Sequence, residues 1–312
     1  MKEHKGANAF SSERQTAVTI GTFDGVHAGH QKIIERLVNA AEVANLDSVI
    51  LTFFPHPRMV LQQESDIKLI NTIEERKQIL EKTGIDHLVV HPFTQQFSRL
   101  TALEFVRDIL VTKLKARRVI IGYDHRFGRN RTANINDLKK FGEQFGFEVE
   151  EITKEEVDQV AVSSTKIRKA LLEGKVERAN NYLKHPFTLT GTVVKGRGLG
   201  KEFNFPTANL EISEDYKLIP KNGVYVVRSE IDGKSYFGMM NIGTNPTVGG
   251  EARTIETYFL NLDKDLYGKK LQIEMLVRIR DEKKFDSVNS LKIAMKQDEA
   301  FSRQYIKDNY AE

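Results

Sequence analysis

The stretch from Ala17 to Ala44 constrains the fold more than any other, because it joins a buried strand to an amphipathic helix through glycines. It reads AVTIGTFDGVHAGHQKIIERLVNAAEVA. The apolar run that ends before Gly21 is typical of a buried strand. Apolar residues then recur at 33, 34, 37, 38, 41 and 44, the spacing of one helix face. The pattern predicts a strand, a tight glycine turn and a helix.

His27, Gly29 and His30 lie where this helix is predicted to begin. A helix start presents unpaired N–H groups and partial positive charge, which attract phosphate, and glycine lets the backbone approach such a ligand closely. Two histidines three residues apart share a helix face and can donate hydrogen bonds to phosphate oxygens as charge builds. Taken alone, the pair is equally typical of a helix cap or a metal site.

Strand and helix patterns alternate up to about residue 152 and predict an α/β fold with a doubly wound parallel sheet. The predicted strands are 48–54, 88–90, 119–122 and 147–152, and capping boxes at Thr72–Glu75 and Thr101–Glu104 begin two of the helices. Ligands of such sheets bind at the carboxyl ends of strands, where the strand order reverses. The turn at His27 and the loop after Gly122 are such ends.

Three further segments of this first domain suit a nucleotide or a flat ring. Aromatic and proline surfaces at residues 54–57 are able to line a ring, although packing of the loop is the simpler interpretation. Arg126, Arg129 and Arg131 follow Gly122 and can clamp phosphates, or form a solvated basic loop. Hydroxyl residues at 163–165 precede another predicted helix, where they are N-caps by default and can also bind a triphosphate.

A second domain is predicted from the change of pattern near His185-Pro186, and the length of 312 residues agrees with two domains. We therefore predict domains at 1–184 and 185–312. Strands separated by glycine turns are expected at 188–194, 224–231, 236–242, 254–260 and 271–279, with a helix from about 287. Many strands and few helices predict a small antiparallel β-barrel closed by a C-terminal helix.

Two polar sites stand out in the second domain. The basic, glycine-rich stretch 195–201 can fold over phosphates but is no P-loop, and Thr207 and Asn209 face the same way in an extended chain. A hydroxyl and an amide oxygen are suitable hard ligands for Mg²⁺. Glu256 lies within an apolar strand, where a carboxylate requires a partner cation or serves as a general base.

The amino-acid composition excludes several classes of protein and of site. With 40% hydrophobic and 29% charged residues the chain resembles an ordinary globular protein, and no apolar run is long enough for a membrane span. The absence of cysteine excludes disulfides and thiolate metal sites, and the N-terminus resembles no secretory signal, so we expect a cytoplasmic protein. Small anionic substrates explain the net charge of +4 as well as nucleic acid does, and because the chain has no nucleic-acid-binding motif we expect no nucleic-acid partner.

The string GTFDGVHAGH resembles the H-x-G-H signature of nucleotidyltransferases and, more narrowly, the first motif of the bacterial bifunctional riboflavin kinase/FMN adenylyltransferases. The loop after Gly122 is similar to the second motif of that family, and Ser163–Arg168 to its S-S-T-x-I-R motif. In the second domain FPTAN, ETYFLN, DLYGKK and RDEKKF resemble riboflavin kinase. The resemblance extends from about Thr16 to Tyr305.

The resemblance implies two reactions. The C-terminal domain would transfer the γ-phosphate of ATP to riboflavin, giving FMN and ADP, with Glu256 as base and Thr207 and Asn209 holding Mg²⁺ with ATP. The N-terminal domain would join FMN to the adenylyl group of a second ATP, giving FAD and diphosphate, with His27, His30 and Arg168 as catalytic residues. Contacts to nucleotide or flavin are implied for Gly21, Phe23, Asp24, Gly25, Gly29, Phe54, His56, Pro57, Asp124, Arg126, Phe127, Gly128, Ser163, Ser164, Thr165, Gly196, Gly198, Gly200, Lys201 and Pro206.

The chain also departs from the family pattern. His125 replaces an aromatic residue, Ala133 and Asn204 stand where glycines are common, and Tyr258 stands where histidine is frequent. Two alternatives therefore remain at this point: a chain with only one working activity, and a non-catalytic regulator that binds flavin or nucleotide. The sequence leaves self-association open.

Overall fold

The computed structural model describes residues 1–62, 66–123, 125–153, 162–196, 205–247 and 250–310. The chain divides into two compact units, Met1–Ser163 and Ser164–Glu312. Packing thus divides the chain upstream of the change in sequence pattern at 184/185, and the domain boundary stays a prediction.

A parallel sheet forms the centre of the first unit. Among the described residues it has six strands in the order β1-β4-β3-β2-β5-β6, and each pair of neighbours is parallel. The strands are β1 Lys2–Lys5, β2 Thr16–Ile20, β3 Asp47–Phe53, β4 His87–His91, β5 Ala116–Gly122 and β6 Glu148–Ile152. The predicted doubly wound parallel sheet is confirmed.

Two helices of this unit begin at the capping boxes that the sequence predicts. The capping boxes at Thr72/Glu75 and Thr101/Glu104 are both formed. The helices are α1 Ala28–Val43, α2 Pro57–Leu61, α3 Ile73–Glu81, α4 Gln95–Ser98, α5 Ala102–Glu104 and α6 Ile135–Phe145, of which α2 and α4 were not predicted. One difference is that α5 continues as a π-helix over Phe105–Lys113, where the hydroxyl of Thr112 donates to the carbonyl of Arg107. Such side-chain bonds compete with the regular α-helical ladder.

Alternate residues of the central strands pack into different apolar clusters, so both faces of the sheet are covered. One cluster contains Val18, Val49 and Val119, and the other contains their neighbours Ala17, Ile50 and Ile120. A strand that is buried on both faces must be apolar along nearly its whole length, as these strands are.

The strand order reverses between β2 and β5, which are direct neighbours. β2 ends at Ile20, just before the histidine turn, and β5 ends at Gly122, just before the arginine loop. The two loops that the sequence predicts to bind ligands therefore leave adjacent strand ends at the topological switch point.

β1 was not predicted, because its sequence KEHK has no apolar alternation. It is an edge strand whose pairing partner, β4, lies more than eighty residues away. Side chains fix it there: Nε2 of His4 and Nδ1 of His87 are 3.0 Å apart, and Nδ1 of His91 accepts the backbone N–H of Ala7 at 3.0 Å. Tertiary contacts rather than local propensity form this strand.

The second unit holds a closed barrel and a long C-terminal helix. The order of strands in the described barrel is β10-β11-β8-β7-β12-β9, with antiparallel neighbours. The elements are α7 Ser164–Leu172, α8 Val176–Leu183, β7 Phe187–Val194, β8 Ala208–Glu211, β9 Gly223–Ile231, β10 Lys234–Thr247, β11 Gly250–Phe259, β12 Lys270–Arg280 and α9 Val288–Tyr310. The predicted barrel and terminal helix are confirmed.

His91 holds the N-terminal segment through its hydrogen bond to Ala7, and we predict that acid weakens this contact. Burial, and then the charge of Lys113, lower the pKa of His91 from 6.5 to about 4. Because the folded-state pKa lies below the unfolded value, the contribution of His91 to stability is present above pH 6.5 and is lost as the pH drops from 6.5 towards about 4. His91→Asn keeps an acceptor near the N–H of Ala7 but takes up no proton. We expect its Tm to fall less between pH 7.5 and pH 5 than that of the unmodified chain, measured by differential scanning fluorimetry. An equal fall would contradict this role of His91.

Candidate functional site

The turn between β2 and α1 has an unusual backbone that its buried side chains stabilise. Phe23, Gly25 and Val26 have φ values of 47°, 89° and 41°. Positive φ is costly for residues other than glycine, but Phe23 and Val26 are 1% and 0% exposed and pack into the core beneath the sheet. The turn therefore delivers His27 as the N-cap of α1.

The two histidine rings are stacked at the start of α1. Their centroids are 3.7 Å apart and their planes differ by 15°. Nδ1 of His27 accepts the backbone N–H of His30 at 3.4 Å, so the proton of a neutral His27 resides on Nε2. A Cβ at Gly29 would lie 3.3 Å from Cε1 of His27, which leaves little room for a larger residue.

The environment of His30 favours the neutral form. Burial lowers its pKa well below the usual 6.5, and the nearby His27 and Arg76 lower it further. Among the described residues, its buried Nδ1 has no hydrogen-bond partner. A buried N–H without an acceptor is costly, so the proton belongs on Nε2. Both rings thus present an Nε2–H donor beside a helix N-terminus, which is a suitable arrangement for a phosphate group.

The arginine loop after β5 is anchored by its apolar residues. Phe127 is 6% exposed, forms two backbone hydrogen bonds with Ala133 and lies 5.9 Å from the ring of Phe105. Gly128 has a φ of 71°, and a Cβ there would lie 2.9 Å from the backbone nitrogen of Ala102. Ala133 is itself buried, so the loop accommodates this departure from glycine. Arg126 is exposed at the loop surface.

The proline-rich loop after β3 packs partly into the fold. His56 is 8% exposed and its Nδ1 accepts the N–H of Arg58, which caps α2, while Pro57 is the first residue of that helix. Phe54 is half-buried. The contacts of these residues with a flavin or nucleotide stay predictions.

The remaining residues predicted for this reaction lie in the S-S-T-x-I-R segment. Ser164 and Thr165 begin α7, which belongs to the second unit, and Arg168 lies one turn later. Ser163 is the last residue of the first unit. Their role in binding nucleotide stays a prediction. Asp124, Gly198, Gly200, Lys201 and the departure at Asn204 lie outside the described residues.

The second polar cluster lies on one face of the barrel. Oγ1 of Thr207 donates to Oε2 of Glu256 at 3.3 Å. Glu256 faces Asn209 across the β8–β11 ladder and Asn241 across the β10–β11 ladder. Residues directly opposite each other in a ladder share a face of the sheet. The side chains of these four residues, including Asn241, which the sequence analysis missed, are therefore neighbours.

Gly196 makes room for the Asn209 side chain. A Cβ at Gly196 would overlap the amide group of Asn209, so the amide packs directly on the backbone of Gly196. Pro206 is exposed, whereas the adjacent Phe205 is buried and packs edge-on against Tyr258 at 4.9 Å. Tyr258, the departure from histidine, thus serves the apolar packing beside the cluster.

The side chains of this cluster provide both neutral and negatively charged oxygen atoms as metal ligands. The described part of the chain contains no group of three His, Cys, Asp or Glu side chains able to hold a metal ion. Thr207, Asn209 and Glu256 together provide one hydroxyl, one amide oxygen and one carboxylate. Mg²⁺ is commonly held by one or two protein oxygens together with nucleotide phosphates, so this set fits a metal that arrives with ATP.

Comparisons with known proteins agree for both units. Residues 9–166 match the family model described as FAD synthetase, and residues 183–306 match the one described as riboflavin kinase. A bifunctional riboflavin kinase/FMN adenylyltransferase of Listeria monocytogenes is 37% identical over 93% of this chain and 92% of its own length. The protein of that description from Escherichia coli K12 is 33% identical over 98% of both chains.

A solved structure from Streptococcus pneumoniae, described as a macrolide-efflux protein, is also similar. Its TM-score is 0.88 at 32% identity, and the match covers 99% of each chain. In the described residues of the present chain, no helix combines the length and the apolarity that crossing a membrane requires.

Proposed function

The chain belongs to the family of bifunctional riboflavin kinases/FMN adenylyltransferases, and from this membership we propose which residues perform each of its two reactions. The riboflavin kinase part forms FMN and ADP from riboflavin and ATP, and the FAD synthetase part forms FAD and diphosphate from FMN and ATP. The full-length similarity to bifunctional relatives argues against the one-activity and regulator alternatives.

The stacked histidine pair at the start of α1 supports the assignment of adenylyl transfer. The nucleophile is the phosphate of FMN, which is already an anion, so no general base is needed. Catalysis then consists mainly of positioning and of stabilising charge on the phosphates of ATP. His27 and His30 donate from Nε2 to those oxygens, and Ser164, Thr165 and Arg168 are proposed to hold the triphosphate.

The carboxylate of Glu256 supports the assignment of phosphoryl transfer. A ribityl hydroxyl is a weak nucleophile, and a carboxylate within reach takes its proton as the bond to phosphorus forms. Thr207 and Asn209 are proposed to hold Mg²⁺, which neutralises phosphate charge when bound with ATP. The hydrogen bond from Thr207 orients the carboxylate of Glu256.

The proposal extends to the ligands and the cellular compartment of the enzyme. We infer that its partners are riboflavin, FMN and ATP rather than nucleic acid, and that it works in the cytoplasm. Self-association stays open.

Separable defects test the assignment of residues. His30→Ala should lower FAD formation from FMN by about 10²-fold or more, because a preorganised donor is lost, and leave FMN formation unchanged. Glu256→Ala should lower FMN formation by about 10²-fold or more and leave FAD formation from supplied FMN unchanged. Chromatography of the flavins after incubation with ATP and Mg²⁺ measures both. Equal loss of both activities in either folded variant would refute the two-site scheme.

Gly196→Ala tests the proposed metal ligand without removing it. The added methyl group displaces the Asn209 amide, so we expect the apparent KM for Mg-ATP in FMN formation to rise about 10-fold or more. Thr192→Ala, at an exposed position of β7, the strand that ends just before Gly196, is the matched control and should leave this KM unchanged. An unchanged KM in Gly196→Ala would remove Asn209 from the proposed metal site.

A further inference from the structure

Arg76 is a fully buried arginine behind the histidine turn, and neither reaction described above uses it. It is 0% exposed and lies in the first turns of α3, whose capping box at Thr72 and Glu75 fixes the direction of the helix. Burying a guanidinium is expensive, so a protein gains little stability from one even when it is paired. Its place beside a phosphate-binding turn suggests a role in the reaction.

The guanidinium of Arg76 supports the histidine turn from two sides. Nη1 donates to Oγ1 of Thr52 at 3.5 Å, and that hydroxyl donates to the carbonyl of Thr22 at 3.2 Å. Nη2 lies 3.9 Å from Oδ1 of Asp24, and both side chains are 1% exposed. Arg76 therefore contacts Asp24 directly and Thr22 through the hydroxyl of Thr52, on either side of Phe23, the first residue of the turn with positive φ.

Asp24 is held in place from the other side as well. Its carboxylate accepts the backbone N–H of Ile70 at 3.0 Å and that of Asn71 at 3.3 Å. These residues directly precede α3. The ion pair therefore links the histidine turn to the start of the helix that carries Arg76.

Arg76 also acts on His30 through its charge. The titratable or charged groups that face His30 are His27 on the same helix, Arg76 from α3 and, beyond Arg76, Asp24 of the turn. Phe23 covers the ring from another side, with centroids 5.0 Å apart. Burial and the two basic groups all lower the pKa of His30.

We propose that Arg76 is a positioning residue of the adenylyltransferase site: its pair with Asp24 and its hydrogen bond to Thr52 hold the histidine turn in shape and place a buried guanidinium behind His30. The proposal deepens the function assigned to His27 and His30 and rests on it. Two imidazolium rings stacked at 3.7 Å would repel each other, whereas two neutral rings each donate one Nε2–H to phosphate.

The first test measures the protonation of His30 directly, without substrate. Full-length protein with ¹³C-labelled histidine is titrated by NMR, and His30 is assigned from the signal that His30→Gln removes. Arg76→Met removes the charge, and we expect the pKa of His30 to rise towards its ordinary value. Arg76→Lys keeps the charge and should retain the pKa of the unmodified chain. An unchanged pKa in Arg76→Met would overturn the proposal.

A second variant keeps the test decisive if Arg76→Met does not fold. Asp24→Asn can still accept the backbone N–H groups but no longer offsets the charge of Arg76. The pKa of His30 should then fall below that of the unmodified chain. A rise or no change would overturn the proposal.

The activity test uses the pH profile of FAD formation, with FMN formation by the same chain as the internal control of folding. If neutral His30 is the working form, the acid limb of the profile moves to higher pH in Arg76→Met and stays in place in Arg76→Lys. An increase of FAD formation at acidic pH in Arg76→Met would show that protonated His30 is the working form and would overturn the proposal. A uniform loss at every pH, with the pKa of His30 unchanged, would assign Arg76 a structural role only.

Discussion

The first unit depends on one constraint: the chain must pass from a strand at the centre of a parallel sheet to a helix within a few residues, and it does so with positive φ at Phe23, Gly25 and Val26. Buried aromatic and aliphatic contacts of Phe23 and Val26 offset that conformational cost. The turn also determines where α1 begins, and the start of the helix determines the positions of the two imidazole rings. Rigidity at this point is what converts a common helix terminus into a preorganised set of donors.

The two reactions place different demands on the protein, and the two clusters differ accordingly. Adenylyl transfer starts from a phosphate anion, and its cluster consists of hydrogen-bond donors and positive charge near a helix N-terminus. Phosphoryl transfer starts from an alcohol, and its cluster contains the carboxylate of Glu256 among oxygen ligands on a sheet face. The side-chain chemistry of each site therefore follows from the protonation state of its nucleophile.

Local sequence patterns predicted most of the elements but not all. The capping boxes at Thr72 and Thr101 were found because their signals lie within a few consecutive residues. The edge strand Lys2–Lys5 carries no such signal and forms through contacts with a strand far along the chain. The π-helical turns after Glu104 have the same apolar periodicity as an α-helix over so short a stretch.

The sequence by itself determined most of the strands and helices, the histidine turn and the identity of the polar side chains, because periodicity, caps and motif spacing are local properties. Only the tertiary structure decided that Arg76 lies buried behind the histidines, that burial lowers the pKa of His30, and that the Asn209 amide rests on Gly196 beside Glu256. Burial and electrostatic fields are sums over neighbours that are distant in the chain, so no short stretch of residues encodes them. For that reason the sequence showed which groups are available for chemistry, and the fold set their protonation and contacts.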